Sequence, residues 1–156
     1  MRAVIALLAV GTLGLAAGAM LAEGAVLVPW WRSLPAEVFL RWYADNGSRL
    51  FAFFGPLEML SAGLAVAAGV VYRHGPAGAR GLFASSAVLA VAVLGLFPLY
   101  FQQVNASFAS GTIPLDRVPG VLGRWAAWHW LRTAFGLMAF AAAVLGVRAA
   151  ARDGDG

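Results

Sequence analysis

Apolar residues run almost unbroken through four stretches of the chain, at about residues 3–29, 49–72, 81–104 and 124–147, and polar residues gather between them. Each stretch meets or exceeds the ~20 residues that an α-helix needs to cross a hydrocarbon core of ~30 Å. The pattern predicts an all-α, integral membrane four-helix bundle of up-down topology, built as one domain over residues 1–156. Between the first two spans, Leu34 to Ala44 is amphipathic, with Leu34, Val38 and Trp42 on one helical face and Glu37, Arg41 and Asp45 elsewhere. A short interfacial helix after the first span is expected there. His74-Gly75-Pro76-Ala77-Gly78 predicts a tight turn, and Ser110 to Gly123, with two prolines and three glycines, predicts a loop.

The first stretch opens like a secretory signal, with Arg2 as a short positive region and Ala17-Gly18-Ala19 suited to cleavage. Apolar residues continue past that site through Val28, which favours a retained first span. Gly11, Gly14 and Gly18 are spaced to let helices approach closely in lipid. Up-down topology puts Arg2, Arg73, Arg80, Arg148 and Arg152 on one side and Arg32, Arg41, Arg49, Arg117 and Arg124 on the other. The count is even, but the first side adds the amino-terminal charge and has the shorter links, so both termini are expected in the cytoplasm.

Composition narrows the function. At 62% hydrophobic, 12% charged and a mean hydropathy of +0.80, the chain lies outside the range of soluble enzymes. Its formal charge of +4 comes from eleven arginines that never cluster, which argues against nucleic acid as a partner. The absence of cysteine excludes disulfides, thiolate metal ligands, iron–sulfur clusters and thiol redox chemistry. An Ala/Gly/Val/Arg-rich chain without lysine is associated with GC-rich bacterial genomes, and the expected location is the bacterial inner (cytoplasmic) membrane.

Ionisable residues inside the spans carry the chemistry, because each costs ~2.5–3.5 kcal/mol at mid-helix and must face protein or water. Glu23 lies near the end of the first span, Glu58 early in the second, and His129 and Arg132 early in the fourth. At ~1.5 Å per residue all four fall within about 7–12 Å of one membrane face. Gln102, Gln103 and Asn105 end the third span at that face. Helical spacing places Trp125, Trp128, His129, Arg132 and Gly136 on one stripe, Gly95, Pro98, Gln102 and Asn105 on another, and Phe51, Phe54, Gly55, Glu58 and Ala62 on a third. Together they outline an aromatic-lined polar pocket for a hydrophobic small molecule. Each residue also has a plainer reading: Glu58 with Arg132, or Glu23 with His129, as tethers that set helix register, and Trp125, Trp128 and Trp130 as an interfacial belt. Trp30, Trp31 and Trp42 are expected in such a belt. His74 lies in a turn, and the Asn105-Ala106-Ser107 sequon is taken as accidental.

The order of residues from Leu99 to Phe140 is recognisable: an asparagine ending the third span, a Gly/Pro loop, then Arg124-Trp125-Ala126-Ala127-Trp128-His129-Trp130-Leu131-Arg132-Thr133. This resembles the DUF1772, or anthrone oxygenase-like, family of small four-helix membrane proteins. The first span with Gly18 and a closing Pro29, followed by a short amphipathic connection, is also similar. The resemblance implies oxidation of anthrone-like substrates by molecular oxygen without a metal or flavin, with Asn105, Trp125, His129 and Arg132 as site residues. Glu23 and Glu58 rest on depth alone.

On this basis His129 is the expected general base, Arg132 the oxyanion partner and Asn105 the group that orients a carbonyl. Trp125 and Trp128 are expected to stack on a flat ring, with Glu23, Glu58, Gln102 and Phe54 completing the substrate site. The substrate is then a hydrophobic phenolic, anthrone-like or quinol-like molecule and no cofactor is needed. Two other classes stay open. Glu23, Glu58 and His129 can be read as ligands of a transition metal in an oxidoreductase. The chain can also be read as a transporter or assembly subunit, which at four helices without repeats would need a homo-oligomer for alternating access.

Overall fold

The computed structural model describes residues 1–152, so residues 153–156 of the expected domain lie outside it. Four helices, Arg2–Ser33, Ala36–Val71, Ala77–Ala109 and Leu115–Arg152, are long and apolar enough to cross a membrane. They run up and down in a ring in which each packs on its sequence neighbours and the first closes against the fourth. The second and fourth helices lie across the diagonal and barely touch. All-α architecture follows from the solvent: in hydrocarbon a helix satisfies its own backbone hydrogen bonds.

The helices are longer than the apolar stretches, and most of the excess lies on the side of the Ser110 to Pro114 loop. The amphipathic segment expected as a separate interfacial helix is helical, but it is the opening of the second helix, which starts at Ala36 after Pro35 and continues through Pro56 to Val71. Only Leu34 and Pro35 separate it from the first helix. The expected loop from Ser110 to Gly123 is also shorter. A single 3₁₀ turn at Leu115–Arg117 leads into a helix from Val118, with Pro119 and Gly120 inside its first turn. Proline is tolerated there because first-turn amides have no intrahelical acceptor.

Two π turns interrupt the ring, Glu23–Leu27 in the first helix and Phe97–Phe101 in the third. Each lies at a proline, Pro29 two residues beyond the first turn and Pro98 within the second. An added residue per turn changes which side chains face inward from that point. On the third helix the buried positions pass from Val93 and Leu96 to Phe101 and Phe108, while Pro98 and Gln102 are exposed.

Packing differs between the two halves of the bundle. Around the termini it is built on alanine, with Ala6, Ala9, Ala65, Ala68, Ala79, Ala139 and Ala143 all buried. Small side chains let helices approach closely, and two aromatic rings fill what glycine leaves: Phe140 against Gly14 and Phe83 against Gly146. Hydroxyls tie the pairs, Ser86 donating to the Ala139 carbonyl at 2.8 Å and Ser61 to that of Thr12 at 3.0 Å. Gly11 and Gly18, expected in a helix contact, face outward instead, and alanine lines that interface. At the opposite end the core is aromatic, with Trp31, Phe39, Tyr43, Phe101, Phe108 and Trp125 in one cluster.

Because the chain has no cysteine, single-cysteine variants report topology directly. His74→Cys and Asp116→Cys should label from opposite sides of a sealed vesicle. Labelling from the same side would overturn the up-down order.

Candidate functional site

Arg132 occupies the centre of the candidate site, with its side chain 7% exposed. One terminal nitrogen, Nη2, donates to Glu23 Oε2 at 3.4 Å and faces His129 Nδ1 at 3.2 Å. The other, Nη1, lies 3.4 Å from Glu58 Oε1 in an ion-pair contact. The guanidinium carbon sits 4.6 Å from the centroid of the Phe101 ring, a cation–π arrangement. First, second and fourth helices therefore converge on one cation, with the third contributing the ring.

His129 is fully buried, and its hydrogen bonds assign its tautomer. Nε2 lies 2.8 Å from the Met20 carbonyl oxygen, which can only accept, so Nε2 carries the proton. Nδ1 then accepts from Arg132 Nη2, and the 3.6 Å approach of Glu23 Oε2 to Nδ1 is proximity without a hydrogen bond. Met20 directly precedes the turn that leads into the π segment, and Gly24 within that segment brings the first helix against the imidazole. A Cβ at Gly24 would lie 3.1 Å from the His129 ring and 3.3 Å from Trp130.

Trp125 stacks on His129, with ring centroids 5.1 Å apart and planes at 7°. Its indole Nε1 donates to Asn105 Oδ1 at 2.8 Å, joining the third and fourth helices. That bond fixes the amide so that Asn105 has its NH₂ group left for another partner.

A cavity of about 630 Å³ opens beside this network, between the second and third helices. Its polar wall is Glu23, Glu58, Arg132, Asn105 and Tyr43, and its apolar wall includes Leu50, Phe51, Phe54, Leu94, Phe97 and Trp125. The volume and the mainly apolar lining with a few convergent polar groups are those of a small-molecule site. Glu58 Oε1 and Arg132 Nε are both buried without a hydrogen-bond partner among the described residues. Both atoms are sealed inside the Glu23–Arg132–Glu58 cluster, and the residues that carry them line the cavity. A shallower groove of about 660 Å³ runs along Val28, Pro29, Arg32, Ala126 and Trp130, but Arg32 is its only ionisable residue.

Glu23, Glu58, Asn105, Trp125, Phe54 and Arg132 all line one cavity. Three expectations change. His129 is in the network but absent from the cavity wall, with Trp125 stacked over it and both ring nitrogens engaged, so it cannot reach a bound molecule as a base. Trp128 is 38% exposed and stacks on Tyr100 outside the cavity, because it falls one position off the buried stripe of Trp125, His129, Arg132 and Gly136. Gln102 is exposed because the π turn before it rotates the third helix. The metal set Glu23/Glu58/His129 does not assemble. Arg132 lies between the carboxylates, and no group of three or more ligating residues among those described is placed to hold an ion.

Tyr43 and Gly47 were not anticipated. Tyr43 lines the cavity from the amphipathic opening of the second helix, and Gly47 one turn later leaves room for its ring, since a Cβ there would lie 2.9 Å from it. Tyrosine four residues before glycine was the available signal. Comparison of the chain with family models, curated proteins and solved structures finds no match.

Arg132→Met should destabilise the protein by about 3–5 kcal/mol, because it leaves two buried carboxylates without their cation. Adding Glu23→Gln and Glu58→Gln to that variant should recover part of the loss in denaturant unfolding from mixed micelles. Equal loss in the single and triple variants would show that charge is not the reason. Gly24→Ala should cost about 1–3 kcal/mol by overpacking against His129, measured the same way.

Proposed function

We propose that the chain binds a flat, hydrophobic phenolic, anthrone-like or quinol-like molecule in the cavity and oxidises it with molecular oxygen. The observation that carries this reading is the Glu58–Arg132 ion pair, a carboxylate and a guanidinium 3.4 Å apart whose residues both line the cavity. Such a pair receives a group that offers a proton and becomes an oxyanion. Glu58 is the base in this scheme, Arg132 stabilises the anion, and the free NH₂ of Asn105 orients a carbonyl or hydroxyl. Phe51, Phe54 and Phe97 supply the ring contacts, a role first expected of Trp128. His129 is a positioning residue, holding Arg132 through Nδ1 and the first helix through Nε2.

Oxygen as the oxidant rests on the resemblance to anthrone oxygenase-like proteins. Proton removal leaves an electron-rich anion that gives up electrons to oxygen without a cofactor. An anthrone-type methylene takes one oxygen atom and the other leaves as water. A quinol loses two electrons and two protons, giving quinone and hydrogen peroxide. The reading includes a bacterial cytoplasmic membrane with both termini inside, which puts the site nearer the outer face. It requires a single chain, since one copy supplies every wall residue.

Oxygen uptake by the protein in nanodiscs, over a panel of hydrophobic phenols, quinols and anthrones, tests it. Glu58→Gln should keep the fold and lower turnover by ~10²-fold or more. Full activity in that variant would remove Glu58 as base. Binding of the ring without oxygen uptake would favour a carrier over an enzyme.

A further inference from the structure

We propose that the cavity takes its ligand sideways from the bilayer, and that this ligand is a ring headgroup with a long apolar tail that stays in lipid. The inference rests on the ring-binding reading above and concerns the opening of the same cavity. Its inner wall is buried, with Glu23, Glu58 and Trp125 at 6%, 6% and 2% exposure, whereas Met59 and Phe51 on its rim are each 57% exposed. Met59 and Phe51 belong to the second helix, Leu94 and Phe97 to the third, so the rim is the seam between those helices. Phe51 and Phe97 meet across it, with ring centroids 5.5 Å apart.

Depth identifies what lies outside that seam. Met59 follows Arg49 by ten residues, about 15 Å along the helix, and between Leu50 and Tyr72 the only charged residue is Glu58. Leu94 precedes Gln102 by eight residues, about 12 Å, in a stretch with no charge after Arg80. An exposed methionine and a half-buried leucine at that depth border hydrocarbon, not water. The same cavity also reaches Ser48, Ala106 and Ala109, all exposed near the loop side of the bundle. A compact polar molecule would use that end. A molecule already dissolved in the bilayer meets the Met59/Leu94 side first, and there a tail can remain in lipid while the ring reaches Glu58 and Arg132. About 630 Å³ accommodates a ring headgroup, and a long chain must leave through one of these two ends.

The aromatic substituent and the tail are separable in an experiment. The probe is a hydroquinone bearing a dodecyl chain that ends in a diazirine, photolysed with the protein in nanodiscs and mapped by peptide mass spectrometry. Competition with tail-less methylhydroquinone and parallel labelling of Glu58→Gln report where the ring sits. The expected result is labelling confined to residues 59–63 and 90–94, reduced at least fivefold by the competitor and in Glu58→Gln. Labelling at 44–48 and 106–110 that shows the same competition and Glu58 dependence would overturn lateral entry and leave the ring-binding reading standing. Labelling that neither the competitor nor Glu58→Gln reduces would overturn both, because the ring would not be at the Glu58 wall.

Discussion

A guanidinium held inside an apolar bundle must be neutralised by the protein itself, and the arrangement around Arg132 is the answer this chain gives. With its side chain only 7% exposed, Glu23, Glu58, His129 and the face of Phe101 take most of the place of water. Each partner comes from a different part of the chain. Neutralising one charge therefore sets the mutual depth and rotation of all four helices near one membrane face. The same demand leaves an imbalance, two carboxylates to one guanidinium, on residues that all line the cavity. The residues that tie the helices together therefore also form the polar wall of the cavity.

Side-chain size decides where a cavity can exist in such a bundle. Alanine between helices at the terminal end brings backbones close and leaves only rings such as Phe83 and Phe140 to fill the spaces beside glycine. Aromatic residues at the other end hold the helices apart. Between the second and third helices that separation is left unfilled and becomes the cavity. The π turns at Glu23–Leu27 and Phe97–Phe101 lie at this end, where they rotate Gly24 against His129 and Phe101 beneath Arg132. Irregular helix is tolerated here because protein, not lipid, surrounds it.

His129 is central to the network without lining the cavity. Its ring is clamped by the Met20 carbonyl, by Arg132 and by the Trp125 face. A histidine with both nitrogens engaged and no exposed edge transmits position, aligning the arginine that lines the cavity. The acidic residues that line the cavity are instead Glu23 and Glu58.

Hydropathy and charge placement alone determined that there are four spanning helices in one all-α membrane bundle, because an uninterrupted apolar stretch of that length has one stable form in hydrocarbon. Depth was legible too: counting residues from the span ends placed Glu23, Glu58, His129 and Arg132 near one face, and the structure joins them. Rotation was not. A strict 3.6-residue repeat put Gln102 and Trp128 toward the site, but one extra residue in a π turn and a single-position offset turned both outward. Which nitrogen of His129 carries the proton, that Arg132 would stand between the carboxylates expected to share a metal, and that Tyr43 would reach the cavity were decided only by tertiary packing. Those features depend on contacts between helices far apart in sequence, 109 residues in the case of Met20 and His129. Local periodicity carries no information about such contacts.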